Sequence, residues 1–164
     1  MNNKKFDVYL DFGSSKIRVN AFDKDNIKNS YYYESNYFYN QLNIESEIEK
    51  IIFDLEKNTN EYLDNINLMV DSEKILSIGI SLSKKLDGSK LKKEDIQFLI
   101  QDAKQQVLRN YISQSIIHII IKNYKIDDVD HTFLPTEVNC NSLSVDMIFI
   151  CLPKKNVEDL KKQF

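Results

Sequence analysis

The chain has 164 residues, a formal net charge of -3 and 42% hydrophobic side chains, enough for one ordinary core or two small ones. Arg18 and Arg109 are its only arginines, which speaks against nucleic-acid binding, because phosphate and base recognition lean on clustered arginine and a basic face. The longest apolar run, 116–121, is broken by His118 and falls far short of the roughly 20 residues of a membrane helix, so no direct membrane insertion is expected. No signal-peptide core precedes Asp7, and Cys140 and Cys151 form no C-x-x-C pair, so the expected setting is the reducing cytoplasm.

In chain order, Phe6 to Leu10 and Lys16 to Phe22 alternate apolar and polar side chains at the period of a half-buried strand. Asp11-Phe12-Gly13-Ser14-Ser15 separates them. Turn chemistry at Asp23 to Asn26 leads to a third, aromatic strand at Tyr31 to Tyr33, which gives a three-stranded meander. Ser46-x-x-Glu49 has the pattern of a capping box, and Ile48, Ile51, Ile52, Leu55 and Tyr62 then recur at helical spacing, predicting a helix from about Glu45 to Leu63. Leu68 to Val70 and Ile75 to Leu82 read as strands, and Asp87-Gly88 as a turn. The stripe Ile96, Leu99, Ile100, Ala103, Val107 predicts a second helix, with Glu94 and Asp95 in its first turn and Arg109 in its last. Ser115 to Ile126 is rich in β-branched residues, and Leu143, Val145, Met147, Phe149 and Cys151 alternate, so both are predicted strands. Pro153 closes the second, and Asn156 with Asp159 marks a new helix that reaches only to Phe164.

Two stretches together resemble a known family. The run Val8 to Val19, with Asp11, Gly13, Ser14, Ser15 and Lys16, resembles the first phosphate-binding motif of actin-like ATPases in the form used by the bacterial cell-division protein FtsA. The segment from about Leu68 to Leu160 resembles the FtsA subdomain called 1C, or SHS2. Its strand-helix-strand-strand order is met by Ile75 to Leu82, Lys92 to Leu108, Ser115 to Ile126 and Leu143 to Cys151. Locally, His118-Ile-Ile-Ile-Lys-Asn-Tyr124-Lys-Ile-Asp127 is similar to the family's His-Val-Ile-Pro-x-x-Tyr-x-Ile-Asp strand. Ile121 stands where that family has proline, and Leu134 to Cys140 replaces its glycine-containing loop.

The resemblance implies an α+β fold: a partial actin-like (ribonuclease H-like) subdomain 1A at residues 1–71, an inserted SHS2 (1C) subdomain at 72–153, and at 154–164 the start of a helix returning to 1A. It also implies that Asp11, Gly13, Ser14, Ser15 and Lys16 form the first phosphate loop, with Gly13 allowing close backbone approach, the serines donating, Lys16 supplying charge and Asp11 lying near the metal. The second phosphate loop and the adenosine-binding glycines of the family are missing from this sequence. ATP and Mg, which serve the full-length family, are therefore not expected to be bound by this chain alone.

The other motifs read as structure. Asp11-Phe12-Gly13 spells the kinase metal motif by chance, since no glycine-rich loop precedes it and no H-R-D follows. His118, His131, Cys140 and Cys151 fit no zinc spacing, and His118 is expected to be packed and hydrogen-bonded among isoleucines. Asp127, Asp128 and Asp130 lack the glycine and distal glutamate of a calcium loop and read as a solvated turn. Tyr31, Tyr32, Tyr33, Tyr37, Phe38 and Tyr39 read as strand packing. No catalytic constellation and no metal site is found.

The implied function is that of a cytoplasmic protein-protein interaction module of the divisome. Its expected partners are further FtsA copies through 1C and an FtsN-like division protein, with FtsZ a partner in the full-length family, which works at the cytoplasmic face of the inner membrane at midcell. Two alternatives stand beside it: a PilM-like pilus-assembly adaptor, which shares both motifs, and half of an actin-fold ATPase completed by another chain. A truncated reading frame or experimental fragment is compatible with the first reading.

Overall fold

The computed structural model describes residues 5–13, 16–26, 28–36, 44–63, 65–135 and 138–163. The chain is mixed α+β and divides into two compact units, Met1–Glu73 and Lys74–Phe164.

In the first unit, β1 (Phe6–Phe12), β2 (Lys16–Asp23) and β3 (Ser30–Asn36) form an antiparallel meander, and α1 (Ile44–Thr59) leads to β4 (Ile66–Val70), which lies parallel to β1. The sheet order is β3-β2-β1-β4. A parallel neighbour requires a crossover, and α1 supplies it. Alternation puts Val8, Leu10, Ile17, Val19 and Ala21 on one face, where they bury Ile48, Ile51 and Leu55 of α1. Asp11, Arg18 and Glu34 come to the opposite face.

Two local expectations shift. Because α1 begins at Ile44, Ser46 lies inside its first turn and not at the cap. The helix also stops at Thr59, because Asn60 adopts a left-handed φ of 54°. Tyr62 is therefore outside the helix and exposed.

In the second unit, β5 (Leu76–Lys85), β6 (Gln114–Ile126), β7 (Val129–His131) and β8 (Ser142–Pro153) form an antiparallel sheet of order β5-β8-β6-β7. Ile96, Leu99, Ala103 and Val107 of α2 (Lys93–Asn110) pack on one face of it, against Leu143, Val145, Met147, Phe149 and Cys151. The N-terminus of α2 is capped as its acids predict: the Asp95 carboxylate accepts the Lys92 N–H at 2.9 Å. Asp87 and Gly88, both at positive φ, make the tight turn after β5, closed by Ser89 N–H to Leu86 C=O at 2.9 Å. α3 (Lys154–Gln163) follows β8 directly and groups with this second unit, beside β8 and β6.

β7 is not visible from the sequence. Asp127 and Asp128 take φ values of 46° and 67°, which pairs Ile126 with Val129 across a two-residue hairpin turn. Asp127 is more than a solvated turn residue, since its carboxylate accepts the N–H groups of Asn141 and Ser142, both at 2.8 Å.

Candidate functional site

The expected phosphate segment is a tight hairpin. Phe12 pairs with Ile17, and Gly13 N–H donates to the Lys16 carbonyl at 3.1 Å. A Cβ on Gly13 would stand 3.3 Å from that carbonyl oxygen, closer than an ordinary contact, so the approach favours glycine. Ser14 and Ser15 lie outside the described residues, as do Tyr37, Phe38 and Tyr39.

Asp11 and Lys16 come to the same sheet face, joined through two residues absent from the predicted set. Cross-strand register puts Arg18 opposite both Asp11 and Glu34. Arg18 Nη1 donates to Asp11 at 2.8 Å and its Nε to Glu34 at 3.4 Å, while Lys16 and the Tyr32 hydroxyl also donate to Glu34. The Lys16 ammonium, the Tyr32 hydroxyl and Arg18 together bring the Glu34 carboxyl down to about 2, against the desolvation that raises it. Hydrogen bonding to Asp11 raises the Arg18 pKa. The sequence carried one signal of this ladder: Arg18 is one of only two arginines, and it follows Lys16 by the strand repeat of two.

A second carboxylate organises the far end of β2. Asp23 is 1% exposed. Burial alone would raise its pKa, but hydrogen bonds from Lys5, Asn29 and the Asp25 N–H more than offset this and bring it to about 2. This group ties the turn 23–29 to Lys5 and is structural.

The aromatic cluster divides by the pleat. Tyr31 and Tyr33 pack on the α1 side, whereas Tyr32 is on the opposite face and 59% exposed.

The second unit offers different surfaces. β5 pairs only with β8, so among the described residues no strand covers the other edge of its ten residues. Ser77, Gly79 and Ser81 are exposed on the face away from α2, and Gly79 stands opposite Ile148 of β8. A Cβ built on Gly79 meets nothing within 4 Å. His118 belongs to this open face too: it is exposed, opposite Ile150, and not packed as its isoleucine neighbours suggested. A bulge between Ile116 and His118 turns it outward while keeping Ile116 and Ile119 on the core side.

Cys140 and Cys151 are both buried and free, and burial pushes both thiols up. Among the described residues no cluster of three His, Cys, Asp or Glu is arranged to hold a metal ion, and no helix is long and apolar enough to cross a membrane.

Comparison with family models matches residues 73–151 to the SHS2 domain inserted in FtsA. That stretch covers β5, α2, β6, β7 and β8 as far as Cys151. Comparison with the curated proteins finds no match.

Proposed function

From residues 73–151 being an SHS2 region of the FtsA type, we propose that the chain acts in bacterial cell division as a protein-protein interaction module of the divisome. It takes part there in linking the FtsZ ring and recruiting later division proteins, and it associates with further FtsA-type copies through the SHS2 region. The first unit is read as a partial actin-like subdomain 1A, supported by a meander followed by a helix and a strand parallel to β1. No catalytic role is assigned. Asp11 and Lys16, the expected metal-side carboxylate and phosphate-side cation, are each engaged by an internal counter-charge, which supports the reading that ATP and Mg are not bound by this chain alone.

The observation that carries the docking role is the β5 edge with the exposed Ser77 and Gly79 beside it. An edge strand offers unpaired N–H and C=O groups to a partner strand, and the exposed serines and Gly79 leave room for its side chains. The test is a pull-down with the full chain against FtsZ, an FtsN-like division protein and a second copy of residues 73–151, with Gly79→Lys in parallel. Retention of a division protein by the parent and its loss in the variant support the reading. Recovery of pilus-assembly proteins instead, or of nothing, overturns it.

A further inference from the structure

Asp87-Gly88 is the one place in the sequence where an aspartate or asparagine precedes glycine. The pair carries a chemistry that bulkier neighbours hinder. A main-chain nitrogen can attack the side-chain carboxyl carbon of the residue before it, and glycine, without a Cβ, leaves that approach open. Both residues are exposed, so water reaches them.

The fold engages the attacking nitrogen. Gly88 N–H donates to Cys140 C=O at 3.0 Å, and Asp87 N–H donates to Asn141 C=O at 3.2 Å. The φ values of 47° and 79° at Asp87 and Gly88 shape the turn that Ser89 closes onto Leu86. Bringing the Gly88 nitrogen onto the Asp87 carboxyl carbon rotates the peptide plane between them and breaks the bond to Cys140.

The facing segment is anchored in its turn. Leu91 N–H donates to Val138 C=O, Cys140 N–H donates to Ser89 C=O, and Lys90 bridges Asn139. From the turn between β6 and β7, the Asp127 carboxylate accepts the N–H groups of Asn141 and Ser142, both at 2.8 Å. The partners of Asp87 and Gly88 are therefore held by a carboxylate that lies about forty residues further along the chain.

We propose that Asp87 is a site of spontaneous isoaspartate formation, held back by the bonds between the turn 86–91 and residues 138–141. The Gly88 nitrogen bonds to Asp87 Cγ, a Cγ–O bond of the protonated carboxyl breaks, and one water leaves carrying the amide hydrogen. Water then adds to the ring carbonyl on the main-chain side, and the bond from that carbon to the Gly88 nitrogen breaks. The main chain afterwards runs through Cγ, one methylene longer, and the former main-chain carbonyl is a free carboxylate. Water is the only reactant released and consumed. The lengthened turn no longer sets the Asp87 and Gly88 N–H groups against Asn141 and Cys140, so the change, once made, loosens the junction of β5 and α2. The site rests on this chemistry and geometry and is independent of the cell-division reading.

The experiment incubates the full chain in neutral buffer and in denaturing guanidinium at one temperature below its melting point. Samples are digested at intervals, and isoaspartate is located by chromatography and electron-transfer fragmentation. It is expected at Asp87 ahead of every other aspartate. Its formation is about tenfold or more slower in the folded chain, the factor for an open form populated at about one part in ten or less. Asp127→Gly removes the anchoring carboxylate while suiting the positive φ there, and raises the folded-state rate about threefold or more without changing the denatured rate. Asp87→Asn passes through the same ring with ammonia leaving, so its deamidation, read by mass, shows the same ratio of folded to denatured rates. Equal rates in the two states, earlier isoaspartate elsewhere, or a folded Asp127→Gly that reacts at the parent's rate each overturns the proposal. If Asp127→Gly does not fold, the parent and Asp87→Asn decide the matter.

Discussion

Gly79 is the position where stability and docking can be separated by one side chain. It sits mid-strand in β5 with no atom within 4 Å of a built Cβ, and its neighbours across and along the sheet are Ile148, Ser77 and Ser81. Glycine in a strand interior costs roughly 0.5–1 kcal/mol relative to alanine, because the unfolded chain loses more freedom on ordering. Gly79→Val removes that cost and adds a β-branched contact to Ile148, so about 0.5–1 kcal/mol of stabilisation is expected. For a unit the size of Lys74–Phe164 this is a rise in melting temperature of about 2–8 °C. Gly79→Lys is expected to fold with a melting temperature close to the parent's, while placing a cation in the middle of the open face. If a partner strand or apolar surface docks there, desolvating that ammonium weakens binding by more than about tenfold. Melting by circular dichroism and a pull-down of the same preparations read both effects. A fall of several degrees in Gly79→Val would refute the open space assigned to this face, and undiminished partner recovery by Gly79→Lys would refute the docking assignment.

The other expectations are simpler to read. Leu99 is 2% exposed at the centre of the α2–sheet contact, so Leu99→Ala is expected to lower the stability of the second unit by about 2–5 kcal/mol, seen as a shift in its urea midpoint. Asp23 and Glu34 both have carboxyl pKa values of about 2, below the usual carboxylate range near 4, so the stability they contribute is present above pH 4 and lost as pH falls toward 2. Amide exchange in β1 to β3 should accelerate over that window, and Asp23→Asn should flatten the dependence; an unchanged profile would show that Asp23 does not couple protonation to folding. Cys140 and Cys151, buried and with raised thiol pKa values, are expected to resist a disulfide reagent in the native protein at neutral pH and to react fully in denaturant. Mg-ATP is expected to leave both the melting temperature and the amide spectrum unchanged, whereas shifts confined to residues 11–18 would restore nucleotide binding to the first hairpin.

Elements with strong periodicity were legible. The α2 stripe and the alternating residues of β8 name their own buried faces, because one period permits only one face inward. Asp87-Gly88 announces its turn, since glycine relieves the left-handed conformation. The Asp127-Asp128 turn has the same backbone hand without glycine, so β7 stayed hidden behind what reads as an acidic loop. His118 was misplaced for a different reason. In a run of isoleucines hydrophobicity carries no phase, and the bulges near Ile117 and Lys122 shift the inward set to Ile116, Ile119, Ile121, Tyr124 and Ile126. At the candidate phosphate loop, residue type was readable but partnership was not. Arg18 and Glu34 meet only because β1, β2 and β3 pair in one register, and register is a property of the folded sheet.

The two sheets use their charged residues in opposite ways, and this bears on where partners bind. On the first sheet, Asp11, Arg18, Glu34 and Lys16 alternate in sign across three strands, so each charge is answered by a neighbour and little field extends outward. A ligand for Asp11 or Lys16 must first break an existing pair. On the second unit, the open face beside β5 carries Ser77, Gly79 and Ser81, the last bonded to Asp146, and Lys84 pairs with Asp95 near the end of the strand. A strand added beside Ser77 and Gly79 displaces water. Desolvating charge costs less at Ser77 and Gly79 than at the ladder of Asp11, Arg18 and Glu34, which is the physical ground for testing recognition at the β5 edge first.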